Sequence, residues 1–304
     1  MRGNCLITND VEDLALNGKS YDDIGITVWK EIIPSLLDLY DKYNVKATFF
    51  FLAEYAQKFP EIVKLVQPRG HEVACHGLTH DHTKAFDVLT LDEQIKHLAE
   101  AKKILEDIAG EEVVSFRAPA LRVNFDTAKA LQATGFKYDS SVAPQRMDIF
   151  MSLGSKNKVQ WLKAPRTFYE IDINNLARCG KSGIYEFPVS SFAMPYIGTL
   201  MRVSPTLNAL ARYLVYLETK NSAKKSVNFL FHPSEAVVET EEQIAVLRRE
   251  KNPLIHLFAG VLRTKLKLRN NGLEALTLFE KELAFWSKKE YEFLTVKNYA
   301  SKII

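Results

Sequence analysis

Residues 70–80, with the sequence G-H-E-V-A-C-H-G-L-T-H, join a buried strand to a pair of histidines. The run from Gly70 to Cys75 is typical of a buried strand, and His76 and His80 follow it at positions i and i+4. If the chain makes a helical turn after the strand, both imidazoles lie on one side of it, roughly 5–6 Å apart at Cβ. Histidines at this spacing can bind one metal ion. The alternative is a pair of polar residues on a surface loop.

The segments on both sides of this stretch alternate between strands and helices. Strands are predicted at residues 5–8, 46–52, 70–75, 113–116, 136–141, 184–189, 226–231 and 293–295, the last followed by a short tail. Helices are predicted at 29–43, 54–66, 91–108, 125–133, 204–217, 241–250 and 273–288, and a loop at 14–28. This alternation predicts an α/β fold with a parallel sheet and helices outside it. In such folds ligands bind at the carboxyl ends of the strands.

Polar or ionisable side chains stand at the ends of five predicted strands. They are Asp10, His76, Arg117, Asp139 and His232. Two neutral histidines and one carboxylate hold a metal ion with positions open for water and substrate, and such an ion lowers the pKa of bound water. A second carboxylate can accept the water's proton, and a histidine across the site can protonate the leaving amine. An arginine beside the base keeps it ionised. These parts predict a metal-assisted hydrolase of an amide or ester.

The composition, net charge and cysteine content of the chain limit the classes of protein to which it can belong. The 304 residues are 47% hydrophobic and 25% charged, which is typical of a soluble globular protein, and the net charge of +3 is too small to indicate nucleic-acid binding. The three cysteines, Cys5, Cys75 and Cys179, are far apart and indicate a reducing compartment. No signal peptide and no run of 18 apolar residues is visible, so we expect a cytoplasmic protein without a membrane span. The oligomeric state stays open.

Five ordered motifs resemble the polysaccharide deacetylases of the NodB-homology type (carbohydrate esterase family 4), in the branch whose first motif is D-V-E-D. They are T-N-D-V-E-D at 8–13, H-G-L-T-H at 76–80, R-A-P at 117–119, Y-D-S-S at 138–141 and F-L-F-H-P at 229–233. The resemblance implies a distorted (β/α)7 barrel. It also implies one divalent metal, usually Zn²⁺, with Co²⁺ or Ni²⁺ as alternatives. The implied reaction removes N-acetyl groups from amino sugars of a polysaccharide or glycan precursor, so the expected partner is an N-acetylated carbohydrate.

One domain over residues 1–304 is the simplest partition. The catalytic core is expected at about residues 4–235, with a C-terminal helical segment at 236–304.

The resemblance assigns His76 and His80 as metal ligands and leaves the third ligand open between two acids. The family has two adjacent aspartates in its first motif, whereas here Val11 and Glu12 separate Asp10 from Asp13. Residue type favours Asp13, which we take as the predicted ligand. Strand alternation favours Glu12, because residues i and i+2 point the same way.

The resemblance also assigns the proton-transfer groups. Asp10 would be the general base, paired with Arg117, and His232 would be the general acid, oriented by Asp139. The metal and the backbone N–H that follows Pro119, at Ala120, would hold the oxyanion.

Ala120 stands where an aromatic residue often lines the sugar site. Four aromatic residues elsewhere could stack on a sugar, although core packing is the favoured role for each: Trp161, Phe168, Tyr169 and Tyr196. Four further histidines are assigned no role: His71, His82, His97 and His256.

Two other functions fit parts of the pattern. An allantoinase-like enzyme of the same superfamily would keep the site but hydrolyse a small amide or cyclic ureide. A non-catalytic carbohydrate-binding relative would keep the barrel without a metal. The three functions differ in their products. A deacetylase releases acetate, an allantoinase-like enzyme releases ammonia or opens a ring, and a binding protein catalyses no reaction.

Overall fold

The computed structural model describes residues 2–12, 22–145, 158–222, 224–238, 266 and 268–304. Its strands are β1 Asn4–Val11, β2 Thr48–Phe51, β3 Glu72–Cys75, β4 Ser115–Phe116, β5 Tyr138–Asp139, β6 Tyr169–Asp172, β7 Asn175–Cys179, β8 Tyr185–Glu186, β9 Ser191–Phe192, β10 Met194–Pro195, β11 Ser226–Phe231 and β12 Glu292–Phe293. Its α-helices are α1 Asp22–Thr27, α2 Ile33–Lys42, α3 Ala53–Lys58, α4 Pro60–Val66, α5 Leu91–Ala109, α6 Thr127–Ala133, α7 Gly198–Val203, α8 Pro205–Thr219, α9 Leu273–Lys288 and α10 Val296–Ile303. A predicted helix at 241–250 lies outside the described residues.

A curled parallel sheet forms the frame of the fold. Seven strands follow one another in the order β11-β1-β2-β3-β4-β5-β8, and every neighbouring pair is parallel. Strands β6 and β7 extend the sheet antiparallel beyond β8, and β12 pairs with the start of β1. The sheet curls into a half-barrel that is accompanied by helices. This confirms the predicted α/β architecture, a distorted (β/α)7 barrel.

Alternation along β1 separates the two faces of the sheet. Cys5 and Ile7 belong to the large apolar core. Leu6 belongs instead to a second, smaller cluster. Because side chains two apart point the same way, Asp10 lies on the same face as Leu6. The concave face of the sheet is therefore apolar near the start of β1 and carries acids at its end.

The C-terminal residues form a helix where the sequence predicted a short tail. The side chains of Val296, Tyr299 and Ala300 in α10 are buried against Leu6 and Phe50 of the concave face. The Thr295 side chain caps the helix by accepting from the Asn298 N–H, and the Val296 N–H donates to Thr48 Oγ1 at 2.9 Å. The helix therefore closes one end of the half-barrel and leaves the other end for the site.

Helix α5 matches its prediction closely because both ends carry strong signals. Thr90 and Glu93 form a reciprocal capping box at its start, and Gly110 ends it with a left-handed backbone (φ 69°). The prediction for 54–66 was less accurate, since Pro60 begins a separate helix after α3. The predicted loop at 14–28 is wrong in its second half, where α1 lies.

Among the residues described, no helix is both long enough and apolar enough to cross a bilayer. All three cysteines are free, with Cys5 and Cys75 buried and Cys179 exposed.

Candidate metal centre and active site

Strand β1 delivers two acids to the concave face. Asp10 is the second-last residue of β1, and Glu12 is the first residue after the strand. Both side chains are almost fully buried, at 3% and 7% exposed. Since residues two apart share a face of an extended chain, both carboxylates point into the same space. Asp13 lies outside the described residues, so its prediction as third ligand stays a prediction.

The two histidines come together in a bend and not in the helical turn that we predicted. Residues 76–80 contain no helical segment, and Gly77 between the histidines has φ 85°. The Gly77 N–H faces Cys75 Sγ at 3.3 Å, and its carbonyl accepts from the Ala53 N–H. A local contact with Cys75 and a hydrogen bond from α3 thus replace the i to i+4 bonds of a helix. The ring centroids of His76 and His80 are nevertheless only 6.4 Å apart.

Glu12, His76 and His80 form a group whose ligand atoms all lie within 4.8 Å of one another. Glu12 Oε2 lies 3.6 Å from His76 Nε2 and 3.3 Å from His80 Nε2. His76 Nδ1 lies 2.9 Å from the carbonyl oxygen of Arg117. Because a carbonyl only accepts, the His76 proton is on Nδ1, and Nε2 offers its lone pair to the group.

This donor set fits a divalent metal ion. Glu12 Oε2 is buried and has no hydrogen-bond partner among the described residues, which a bound cation would provide. One carboxylate and two imidazoles are the ligands of many catalytic zinc sites. Burial opposes the ionisation of Glu12, but His80, His76 and His232 outweigh it and lower its pKa to about 2. Its carboxylate is therefore ionised and ready to bind a cation at neutral pH.

Asp10 is held by the fully buried Arg117. The guanidinium Nη1 donates to Asp10 Oδ1 at 2.7 Å and to Thr8 Oγ1 at 3.0 Å. Nε and Nη2 donate to the carbonyl and hydroxyl oxygens of Ser140, and the guanidinium carbon lies 4.3 Å from the centroid of the Phe50 ring. With one oxygen fixed by Arg117, Asp10 turns its other oxygen, Oδ2, toward His76 Nε2 at 3.7 Å.

His232 faces the same two acids from the end of β11. Its Nε2 lies 3.9 Å from Asp10 Oδ2 and 3.9 Å from Glu12 Oε1, and its side chain is 25% exposed. Behind it, Nδ1 lies 3.6 Å from Glu235 Oε1. Burial would lower the pKa of His232, but Glu235, Glu12 and Asp10 raise it to about 9.

The carboxylate beside His232 is therefore that of Glu235 and not that of Asp139, which we predicted to orient it. Glu235 also accepts from Arg202 Nη2 at 3.0 Å and from Thr199 Oγ1 at 2.7 Å. Burial opposes the ionisation of Glu235, but Arg202 and His232 outweigh it and lower its pKa to about 2. Glu235 stands three residues after His232 in the H-P-S-E stretch, so its spacing was a signal that sequence reasoning did not use.

Asp139 instead belongs to a buried pair of acids beneath Arg117. It is the register partner of Glu186 on the neighbouring strand β8, and both side chains are fully buried. Ser141 Oγ donates to Asp139 Oδ1 at 2.6 Å, and the Val142 N–H donates to Glu186 Oε1. Burial first, and then the charge and hydrogen bond of Asp139, raise the pKa of Glu186 well above its usual range. The protonated form of Glu186 is therefore favoured beside the Asp139 carboxylate.

The chain after Pro119 has an unusual backbone where we predicted the oxyanion donor. Ala120 and Leu121 both have φ 52°, a left-handed conformation that non-glycine residues adopt rarely. The Pro119 carbonyl accepts from the Arg122 N–H at 3.1 Å, and the Ala120 carbonyl accepts from Lys158 Nζ at 2.9 Å. These bonds fix the peptide groups on both sides of Ala120, and a fixed N–H is what an oxyanion donor requires.

The aromatic residues considered for sugar stacking pack in the core. Trp161, Tyr169 and Tyr196 are buried, and Phe168 packs on Phe187 and Tyr299. The favoured role in core packing is confirmed.

Comparison with known proteins finds a family match over part of the chain. Residues 19–138 match the family model described as "Polysaccharide deacetylase". Over this region, which is less than half of the chain, the sequence is similar to that family. The region holds the predicted ligands His76 and His80 and the pair Arg117 and Pro119, so these motif residues lie within the matched range.

A curated relative and two solved structures extend the comparison. A peptidoglycan deacetylase from Helicobacter pylori is 32% identical over 125 residues, which are 40% of this chain and 42% of that protein. The chain thus matches less than half of the length of that relative. A probable polysaccharide deacetylase from Pseudomonas aeruginosa has a TM-score of 0.60 at 14% identity, over 97% of this chain and 90% of that one. An allantoinase has a TM-score of 0.60 at 12% identity, over 97% and 89%. At these identities the two structures show the fold alone.

Proposed function

We propose that this protein is a metal-dependent hydrolase that removes N-acetyl groups from amino sugars of a polysaccharide or glycan precursor. The observation that carries the proposal is the arrangement of three functional units on one concave face. These are the group formed by Glu12, His76 and His80, the base candidate Asp10 and the acid candidate His232. The family of residues 19–138 and the peptidoglycan deacetylase relative support an N-acetylated carbohydrate as the substrate.

Glu12, His76 and His80 would hold the metal ion, which we propose to be Zn²⁺, with Co²⁺ or Ni²⁺ as alternatives. Glu12 takes the place of the predicted Asp13 in this proposal because its carboxylate lies within ion-pair distance of both imidazoles. When bound, the metal supplies a Lewis acid that polarises the amide carbonyl and acidifies a water molecule.

Two side chains of the protein itself move the protons. Asp10 Oδ2 is the base that takes a proton from the attacking water, since Arg117 occupies the other oxygen of the carboxylate. His232 Nε2, on the far side of Asp10, gives a proton to the leaving nitrogen of the sugar. Glu235, behind Nδ1, raises the pKa of His232 and so favours its protonated form before this step. The backbone N–H of Ala120 is our candidate for the second oxyanion donor.

We place the chain in the D-V-E-D branch on the strength of residues 10–13. A cytoplasmic location stays a prediction, and fractionation of cells that express the protein tests it.

The decisive experiment combines metal analysis with acetate release from N-acetylhexosamine oligomers. We expect one divalent metal per chain and release of acetate that depends on it. Asp10→Asn should lower kcat by about 10²–10⁴-fold, because it removes the general base, while the metal content stays unchanged. His76→Ala should lose both metal and activity.

Two outcomes contradict the proposal. Acetate release that survives in Asp10→Asn would exclude Asp10 as the base. A metal-loaded protein that releases no acetate from any oligomer, but opens a cyclic ureide or releases ammonia from a small amide, would favour the allantoinase-like activity.

A further inference from the structure

His97 is a buried histidine that the proposed mechanism does not use. It lies in α5 and is 7% exposed. Its Nε2 lies 2.7 Å from the backbone nitrogen of Leu78, whose N–H donates. Nε2 is therefore an unprotonated acceptor, and the ring proton is on Nδ1. Burial first, and then the charge of Lys84, lower the pKa of His97 to about 4, so the ring is neutral at physiological pH.

This hydrogen bond acts on the middle of the bend that carries both metal-ligand histidines. Leu78 is two residues from His76 and two residues from His80. Its carbonyl accepts from the Glu54 N–H, in the first turn of α3, at 3.1 Å. Both peptide groups of Leu78 are thus fixed from outside the bend, one by α5 and the other by α3.

The bend needs such external bonds because its own sequence does not specify its shape. Gly77 has φ 85°, and glycine adopts left-handed and right-handed conformations with similar ease. If the Leu78 N–H lost its acceptor, the segment from Gly77 to His80 would gain conformations in the metal-free protein. Metal binding would then have to order that segment, which weakens binding.

We propose that His97 is a positioning residue that fixes the bend between His76 and His80 and thereby sets the affinity of the site for its divalent cation. The inference rests on the metal site of the proposed function. Substituting residues that orient metal ligands from behind typically costs about 10–100-fold in metal affinity, and His97 acts on the backbone in the same way.

The competing explanation is that His97 only packs in the core. Its ring lies 5.1 Å from that of Phe86, centroid to centroid. The chain offers a matched control in His71, which is 4% exposed. His71 Nδ1 accepts from the Ala47 N–H at 3.1 Å, and the residue precedes β3, whereas His76 follows it. Replacing His71 therefore removes a comparable buried acceptor at the other end of the same strand.

The test measures dissociation constants for Zn²⁺ and Co²⁺ in the absence of substrate, by competition with a chromophoric chelator. His97→Leu should raise the Kd by about 10–100-fold and change the visible spectrum of the bound Co²⁺. His97→Gln should restore most of the affinity, because its amide oxygen can accept near the position of Nε2. His71→Leu should lower the free energy of unfolding but leave the Kd unchanged.

The inference is overturned if folded His97→Leu binds metal as tightly as the unsubstituted protein, or if His71→Leu weakens binding as much. Should His97→Leu fail to fold, the comparison of His97→Gln with His97→Asn tests the inference. The shorter Asn side chain cannot reach the Leu78 N–H, so the His97→Asn variant should bind metal more weakly than His97→Gln. Equal Kd values for these two variants contradict the inference. An unsubstituted protein that binds no divalent metal overturns the proposed metal site, which distinguishes that failure from a failure of His97 alone.

Discussion

At the scale of single residues, the position of a side chain along an extended strand decides its role more than its type does. Aspartate at 13 matches the residue type of the family, but Glu12 shares the concave face with Asp10. The longer glutamate side chain places Oε2 between the two imidazoles. Alternation is a geometric property of the backbone, and it supports Glu12 over Asp13 as the proposed third ligand.

The proposal that Glu12, and not Asp13, is the third metal ligand gives a direct prediction. Loss of a residue that orients metal ligands typically weakens metal binding by about 10–100-fold. Glu12→Gln removes a ligand itself, so it should raise the Kd for Zn²⁺ by more than that. Asp13→Asn should leave it nearly unchanged. Equilibrium dialysis with metal analysis measures both, and the reverse result would restore Asp13 as the ligand.

Glu235 gives a second prediction at this scale, about the pH dependence of activity. His232 must be protonated to act as an acid, so kcat/KM falls as the pH rises through its pKa. Glu235→Gln removes a negative charge that raises this pKa, and the alkaline limb of the profile should move to lower pH.

Glu282→Gln is the matched control for that profile. Glu282 is 3% exposed and pairs with Arg212 at 2.9 Å, a network separate from His232. Its substitution should destabilise the fold without moving the alkaline limb. A limb that stays in place in Glu235→Gln would show that Glu235 does not act on His232.

At the scale of elements, the C-terminal helix α10 packs buried side chains onto the concave face of the sheet. Tyr299 is fully buried against Phe168 and Phe187. Tyr299→Ala should lower the free energy of unfolding by about 3–5 kcal/mol, as for other buried aromatic residues. Lys302→Ala, at an exposed position of the same helix, should change it by less than about 0.5 kcal/mol. Urea denaturation measures both, and equal effects would contradict the role of α10 as the closure of the half-barrel.

At the scale of the whole molecule, two buried histidines make stability depend on pH. Burial lowers the pKa of His71 and of His97 to about 4, whereas a histidine in the unfolded chain has a pKa near 6.5. Between these values the unfolded chain binds more protons, so acidification favours unfolding. The contribution is complete above pH 6.5 and is lost as the pH falls toward 4. Glu12 and Glu235, with pKa values lowered to about 2, add losses only in a lower window, between about pH 4.5 and 2.

The measurable consequence is the loss of unfolding free energy between pH 7 and pH 5. His71→Leu should reduce this loss by roughly 2 kcal/mol, because one histidine no longer takes up a proton on unfolding. Urea titrations at both pH values give the comparison. An unchanged pH dependence in the variant would mean that His71 is not held neutral by burial.

Local sequence signals predicted much of the fold. Thr90, Glu93 and Gly110 predict the ends of α5 because caps act over a few residues. The apolar run at 70–75 predicts a strand, and the histidines after it predict that the carboxyl end of this strand is polar. The tail after residue 295 was not predicted to be helical, because its apolar residues gain burial only inside a barrel built by distant segments.

The sequence by itself determined the alternating α/β order, the motifs at the strand ends and the residue types that suit a metal-assisted hydrolase. These depend on periodicity and spacing along the chain. Strand alternation offered Glu12 as one of two candidate ligands, and the tertiary structure placed its carboxylate beside both imidazoles. Only the tertiary structure decided that Glu235 lies behind His232 and that Asp139 pairs with Glu186. It also decided that His97 accepts from the Leu78 N–H in the bend between His76 and His80. Each of these depends on which side chains meet after the sheet curls, and contacts between residues far apart in the chain leave no periodic signal in it.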